Sequence, residues 1–236
     1  MKATMSDAEL TGMRAELKGL SPVEGIQRVA QWAGRGVVCS TAFGLEGQLI
    51  THYIATHQLP VELFTIDTGR LFPETYDTWF RTLNRYAIKI QTYVPEHTGL
   101  QMMLEVDGPN SFYQSPENRL NCCFLRKVEP LQRALTGKRV WISGLRGGQS
   151  KDRAQRSQWE YDAKMHIYKY YPLFNWSEEE VIQKIKEYRV PYNPLYDQGF
   201  KSIGCAPCTR SLTLGEEARD GRWWWESSKK ECGLHS

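Results

Sequence analysis

The sequence predicts an α/β fold: a parallel sheet flanked by helices, with a loop-rich segment at its C-terminal end. Three observations carry this. Short apolar runs alternate with helix-period stretches between residues 36 and 190. A turn of small residues follows the first run. Beyond Pro194 the periodicity dissolves into bursts of Gly, Cys, Trp and charge.

In chain order, 37–43 reads as a buried strand and 46–56 as the helix after it. A second strand covers 61–67, and a second helix covers 73–86 with Pro73 in its first turn. Strands follow at 88–94 and 139–144, with a helix over 123–135 between them. Ser177-Glu178-Glu179-Glu180 opens a further helix as a capping box, running to about 189, where Pro191 and Pro194 stop it. Strands joined through helices pair in parallel by right-handed crossovers. The chain thus divides into an N-terminal helical segment (1–35), an α/β nucleotide-binding domain (36–200) and a C-terminal segment (201–236).

Bulk composition narrows the function classes. The 236 residues are 41% hydrophobic and 24% charged, with a net charge of only +3, which gives no signature of a nucleic-acid binder. Residues 1–20 mix charges into every apolar stretch, unlike a signal peptide, and no apolar run approaches the roughly 18 residues of a membrane span. The expectation is a cytoplasmic protein with no membrane and no nucleic-acid partner. A reducing compartment turns its six cysteines away from a disulfide framework and toward metal or thiol chemistry. A homo-oligomer stays open.

Three strand ends carry groups compatible with anion binding; each alone also fits an ordinary turn or a solvated basic loop, and together they favour a shared nucleotide crevice. In Ser40-Thr41-Ala42-Phe43-Gly44-Leu45-Glu46-Gly47-Gln48 small residues before a helix N-terminus let backbone N–H groups approach a phosphate, without the lysine of a Walker A loop. Ile66-Asp67-Thr68-Gly69-Arg70 closes the second strand, where ligands of open sheets bind, although Asp67 and Thr68 serve equally as turn caps. Ser143 to Arg153 offers Arg146, Lys151 and Arg153 to anionic oxygens.

The cysteines form two populations. Cys122-Cys123 and Cys205-Ala206-Pro207-Cys208 make a four-thiol set that fits an iron–sulfur cluster or zinc; adjacent ligands are awkward for a zinc ribbon. Cys39, inside a strand, reads as core. Cys232 follows Lys229-Lys230 and precedes His235; cationic neighbours favour a thiolate, but spacing alone equally fits an incidental thiol near a chain end. Upstream, Trp223-Trp224-Trp225 demands burial, so this segment should pack on the body and hold Arg219 and Arg222 near whatever it covers.

Through Cys122-Cys123-Phe124-Leu125-Arg126-Lys127-Val128-Glu129-Pro130-Leu131, Gly204-Cys205-Ala206-Pro207-Cys208-Thr209 and Lys230-Glu231-Cys232-Gly233-Leu234-His235, the chain resembles the adenylylsulfate (APS) and phosphoadenylylsulfate (PAPS) reductases. The likeness runs from about Gly36 to His235. It implies the adenine nucleotide α-hydrolase-like (ATP-pyrophosphatase-like) fold and reduction of APS to sulfite and AMP in sulfate assimilation and cysteine biosynthesis. The Cys-Cys with Cys-x-x-Cys set implies a [4Fe–4S] cluster on Cys122, Cys123, Cys205 and Cys208, and APS before PAPS as substrate. The cluster is expected to hold the Cys122 helix and position Lys127. Cys232 is implied as the nucleophile, on a tail that docks and then opens to thioredoxin or glutaredoxin as reductant. Ser40, Phe43, Gly44 and Glu46 would form the phosphate loop, and backbone at Ile66 and Gly144 would hold the adenosine. Lys127, Arg153, Arg219, Arg222 and His235 would surround the phosphosulfate.

Two departures stand out: Gly47 where an acidic residue commonly follows the glutamate, and Gly147-Gly148 in place of a charged pair. The second shifts the loop's charge onto Lys151 and Arg153. A tRNA-thiolating enzyme of the same fold would need a Ser-Gly-Gly-x-Asp-Ser loop, which is absent. A zinc interaction module leaves the Lys230 to His235 motif unexplained.

Overall fold

The computed structural model describes residues 7–226; Cys232 and His235 lie outside them. Helices α1 (Asp7–Leu17) and α2 (Pro22–Ala33) lead into β1 (Val37–Ser40), α3 (Leu45–Thr56), β2 (Glu62–Ile66), α4 (Pro73–Tyr86), β3 (Ile90–Tyr93) and α5 (His97–Asp107). Next come α6 (Pro116–Cys123), α7 (Glu129–Leu135), β4 (Val140–Ile142), α8 (Lys151–Ala154), β5 (Trp159–Asp162), β6 (Ile167–Tyr170) and α9 (Glu178–Glu187).

The six strands form one sheet in the order β3-β2-β1-β4-β6-β5. Every pairing is parallel except β5 with β6, so the sheet is mixed rather than all-parallel. Alternation along the central strands sorts the core into two layers. Val37, Cys39, Val140 and Ile142 pack with Leu49 and Ile50 of α3, Ile26 and Val29 of α2, and Val181 and Ile185 of α9. Val38, Phe64 and Trp141 face the other way, onto Leu131, Ala134 and Leu135 of α7. Cys39 is core, as its strand position implied, and burial pushes its thiol up, away from reactivity.

The β5–β6 hairpin was not foreseen. All four residues of β6 are buried, Lys169 included, so no polar face marks the strand. Lys169 is only 2% exposed because Asp162 pairs with it at 2.6 Å and its ammonium lies 5.4 Å from the Trp141 ring centroid. A buried lysine hides the strand from any reading by alternation.

The helix expected over 123–135 starts earlier. Ser115 caps Asn118 N–H and Pro116 opens α6, so the paired cysteines sit inside a helix and not ahead of it. Between α6 and α7 the helix widens into a π segment, Phe124–Val128, where the Glu129 N–H donates to the Phe124 carbonyl five residues back. Pro130 supplies the cause. It has no N–H to give, and its ring crowds the carbonyl of Arg126 in α register, so the chain widens instead of breaking.

The C-terminal segment folds onto the body through short bridges. Leu71 pairs with Cys205 and Thr209 with Arg222, both antiparallel. Trp223 is buried at 1% exposure and Trp225 half-buried, as the Trp run required, while Trp224 stays exposed.

Candidate functional site at the strand ends

Strand order reverses between β1 and β4, and ligands of open α/β sheets bind at such a switch, outside the C-terminal strand ends. A cavity of about 590 Å³ opens there. Its floor is built by three turns. After β1, Phe43 adopts φ 59° and its N–H donates to Thr41 Oγ1 at 3.3 Å, while its ring leaves the cavity to stack on Trp79. That left-handed residue turns the chain so that Gly44 becomes the N-cap of α3, without a side-chain cap. The helix start therefore presents backbone donors and its dipole to the cavity.

After β2, Ile66 lines the cavity, and Asp67 caps the turn by accepting from Gly69 N–H and Tyr76 Oη, both at 2.8 Å. Thr68 does more than cap: its Oγ1 lies 3.3 Å from Cys205 Sγ. After β4, Gly144 crosses α3 so closely that a Cβ there would sit 2.8 Å from Glu46 Cβ and 3.0 Å from Gly47 N. The backbone can pass only as glycine.

The basic loop is redistributed. Arg146 is buried and its Nε holds Glu46 Oε1 at 2.6 Å; Gln149 Nε2 joins the same oxygen at 3.1 Å. Arg146 also donates to the Trp176 carbonyl at 3.3 Å, so it ties the two loops together while lining the cavity. Lys151 is exposed and does not line the cavity. Arg153 does, with Gln149 Oε1 as one partner.

The cavity is also lined by Lys127, from the π segment, and by Arg219 and Arg222 from the C-terminal segment. Arg222 is buried, donates to Ser202 Oγ at 3.3 Å and lies 4.7 Å from the Trp223 ring centroid. The cavity thus gathers Ser40, Gly44, Glu46, Ile66, Lys127, Gly144, Arg153, Arg219 and Arg222. Of the other expected residues, Phe43 shapes the loop from the core side, and His235 and Cys232 are outside the described residues.

Cys205 belongs to the cavity wall and to a second feature behind it. Cys122, Cys123, Cys205 and Cys208 share one buried cluster with Met103, Phe112 and Trp223, all as free thiols. Among the described residues no three His, Cys, Asp or Glu side chains form a group that could hold a metal ion. The donor chemistry is still selective: four soft sulfurs in an apolar shell suit iron–sulfur or thiophilic metals and not hard cations. Burial pushes the Cys205 thiol up, but Lys127, the Thr68 hydrogen bond and Arg222 outweigh it and hold it below the usual thiol range. Cys122 is raised by burial against the pull of Arg126, and Cys208 is pushed up to about 12 by burial and by Cys205. Arg126 and Lys127, neighbours in the π segment, serve different targets: Arg126 donates to the Thr68 carbonyl at 2.6 Å, and Lys127 faces Cys205 and the cavity.

A family model described as the phosphoadenosine phosphosulfate reductase domain matches residues 36–211. The chain belongs to that family. It is 42% identical over 236 residues to the adenosine 5'-phosphosulfate reductase of Agrobacterium fabrum, covering 100% of this chain and 90% of that protein. It is 46% identical over 200 residues to the adenosine 5'-phosphosulfate reductase of Allochromatium vinosum, covering 84% and 78%. Among solved structures, the phosphoadenylyl-sulfate (PAPS) reductase from Candida auris, a phosphate complex, aligns with TM-score 0.75 and 32% identity over 89% of this chain and 100% of that one. The Candida glabrata FMN adenylyltransferase bound to FAD and inorganic pyrophosphate aligns at TM-score 0.55 and 13% identity, over 95% and 76%, and shares the fold alone.

The reductase-family match ends at 211, before Arg219 and Arg222, so the cationic wall extends past the matched span. Among the members of this cavity that sequence reasoning did not assign are Ser143 and Trp141. Ser143 Oγ is buried without a hydrogen-bond partner on the cavity wall; its one signal was a serine ending an apolar strand ahead of Gly144. Trp141 lines the cavity and donates from Nε1 to Ser40 Oγ at 2.9 Å, which no local pattern announces.

Proposed function

We propose that this chain reduces adenosine 5'-phosphosulfate to sulfite and AMP, using a thiol reductant, in assimilatory sulfate reduction. The single observation that carries this reading is the shared wall: Cys205 belongs at once to the cavity and to the four-thiol cluster, and Lys127 lines the same cavity against Cys205. The names of its relatives at 40–46% identity support the same substrate. The α/β body of residues 36–200 binds the nucleotide, and 201–236 supplies two cluster ligands and the reactive thiol.

The nucleotide's phosphate sits on the α3 N-terminus at Ser40, Gly44 and Glu46, where Glu46 acts through Arg146. Backbone at Ile66 and Gly144 and the apolar faces of Phe64 and Leu131 take the adenosine. Lys127, Arg153, Arg219 and Arg222, joined by His235, surround the phosphosulfate. The Cys232 thiolate attacks the sulfate sulfur; the S–S bond forms, the S–O bond breaks, and the electron pair leaves on the phosphate oxygen of AMP. A phosphate oxygen leaves well, so cationic stabilisation replaces a strong general acid. One thiol of thioredoxin or glutaredoxin then attacks Cys232 Sγ and expels sulfite. Its second thiol closes the reductant's disulfide and returns Cys232 as a thiol. The dithiol supplies both electrons, which places the reaction in a reducing, cytoplasmic compartment. No described helix is long and apolar enough to cross a membrane.

Cys122, Cys123, Cys205 and Cys208 would hold a [4Fe–4S] cluster. A polynuclear centre spreads its thiolates over several irons and does not ask them to meet at one ion. When bound it supplies a tie between α6 and the 205–208 turn and a local field beside Lys127.

The test is anaerobic turnover with APS and with PAPS, reading sulfite. APS is expected to turn over with thioredoxin and to leave a sulfonate on Cys232 when reductant is withheld. Cys232→Ser is expected to bind AMP and make no sulfite. A sulfo-enzyme formed by Cys232→Ser would sink the mechanism, and faster turnover of PAPS would sink the substrate assignment.

A further inference from the structure

Arg119 lies on α6, one turn before Cys123, and is 3% exposed. It grips Glu226, 107 residues away: Nε stands 3.0 and 3.2 Å from the two carboxylate oxygens, and Nη2 3.1 Å from Oε2. The two side chains are 4% and 7% exposed, and the guanidinium lies 4.9 Å from the Trp223 ring centroid. The 222–226 stretch is already well anchored. Trp223 N–H donates to the Cys208 carbonyl at 3.2 Å, and the Trp225 ring meets Tyr113 at 4.5 Å. Those contacts supply its burial. A buried ion pair adds little net stability over an apolar pair of the same shape, but it is directional and bidentate, so it selects one placement of the chain.

Glu226 stands six residues before Cys232. Six residues reach at most about 20–22 Å when extended. Arg222, four residues before Glu226, lines the cavity, and the Glu226 N–H turns back onto the Trp223 carbonyl at 3.0 Å. The point from which the thiol-bearing segment departs is therefore set beside the cavity, on the helix that also carries Cys122 and Cys123.

We propose that the Arg119–Glu226 pair is a positioning clasp for Cys232, fixing the origin of its segment relative to the cavity. This rests on the reading of Cys232 as the nucleophile. Neither residue lines the cavity; Arg119 also hydrogen-bonds Cys123 one turn on, so the Glu226 variants separate the clasp from the cluster. Misplacing a reacting group by about 1 Å costs up to roughly 10²-fold in rate.

The experiment is single-turnover sulfonation of Cys232, followed by intact-protein mass spectrometry after mixing holoenzyme with APS. AMP affinity and iron content are measured on the same samples. Glu226→Ala is expected to slow sulfonation about 30- to 100-fold and Arg119→Lys about tenfold. Glu226→Gln, whose single amide oxygen can still accept from Arg119 Nε and Nη2 while the other acceptor is lost, is expected to stay within about fivefold, and AMP affinity and iron content within about twofold throughout. Glu226→Ala that sulfonates within threefold of wild type overturns the clasp. So does a rate loss matched by a proportional loss of AMP affinity or iron, which marks a merely structural role. If Glu226→Ala does not fold, Arg119→Lys decides by the same criteria, with a rate within twofold of wild type overturning it. Wild-type enzyme that gains no sulfonate on Cys232 refutes the nucleophile and the clasp together; normal wild-type sulfonation with unaffected variants overturns the clasp alone.

Discussion

Gly144→Ala tests the cavity floor most directly. A Cβ built there meets Glu46 Cβ at 2.8 Å, Gly47 N at 3.0 Å and Glu46 C at 3.3 Å. Carbon atoms rest at about 3.5–4.0 Å, so the shortfall is several tenths of an ångström or more, two of the three contacts being backbone. Gly144 is outside the left-handed region, so the whole penalty is steric. The first turn of α3 cannot yield alone, because Glu46 is held by Arg146 and Gln149. Overpacking of this kind costs about 1–3 kcal/mol. For a chain of this size that lowers Tm by roughly 2–12 °C. The loop and the helix start that must separate are both cavity walls, so AMP binding should weaken about tenfold or more. Thermal unfolding and calorimetric AMP titration check both effects. Gly12→Ala is the control: nothing lies within 4 Å of its Cβ, it sits inside α1, and it should gain about 0.5–1 kcal/mol with AMP affinity unchanged. A Gly144→Ala protein with wild-type Tm and AMP affinity within twofold would refute the close-approach argument.

Ser143→Ala should weaken AMP binding about three- to tenfold while Tm holds or rises, since a buried hydroxyl without a protein partner is lost; a falling Tm with unchanged affinity contradicts a role toward ligand. Cys205→Ala should abolish iron content and visible iron–sulfur absorbance, and Cys39→Ala should leave both intact; a colourless wild type carrying zinc rejects the cluster. Burial pushes the Asp162 carboxyl up, but Lys169 and the backbone N–H groups of Met165 and Lys164 outweigh it and hold it below the ordinary range. A depressed folded pKa stabilises the fold above the unfolded value, and that contribution is lost as pH falls through the folded one. Asp162→Asn should therefore lower Tm at pH 7 by leaving Lys169 buried and uncompensated, with a gap from wild type that closes only below the ordinary aspartate range; a gap independent of pH contradicts the pair.

The central sheet and its ligand-binding end were legible because β1, β2 and β4 are buried on both faces and the glycines at 44 and 144 mark turns where backbone must pass close. What stayed hidden has definite causes. Lys169 concealed β6. The hold of Glu46 on Arg146, 100 residues away, is announced by nothing local to either loop. The four-cysteine set was visible as spacing, yet the helix beneath Cys122-Cys123 was placed too late because Ser115-Pro116 was not read as its cap. The Arg119–Glu226 pair spans a separation over which sequence pattern carries no information.

The widened turn between α6 and α7 acts as a phase adjuster. Each residue of an α-helix advances the side chain by about 100°. A π segment absorbs one residue beyond α register, so the two halves of one continuous rod face directions they could not share if it were uniform. The leading half is aimed at the cysteines and the trailing half lays Leu131, Ala134 and Leu135 on the sheet. Winding the same residues as uniform α-helix, as Pro130→Ala would permit, makes the local hydrogen bonding more regular and swings one of those two surfaces about a quarter turn away from its target, whereas deleting one residue within 124–128 removes the surplus and leaves both facing as they do. Regularity and function are in opposition at this point of the chain, and Pro130 holds the balance on the side of function.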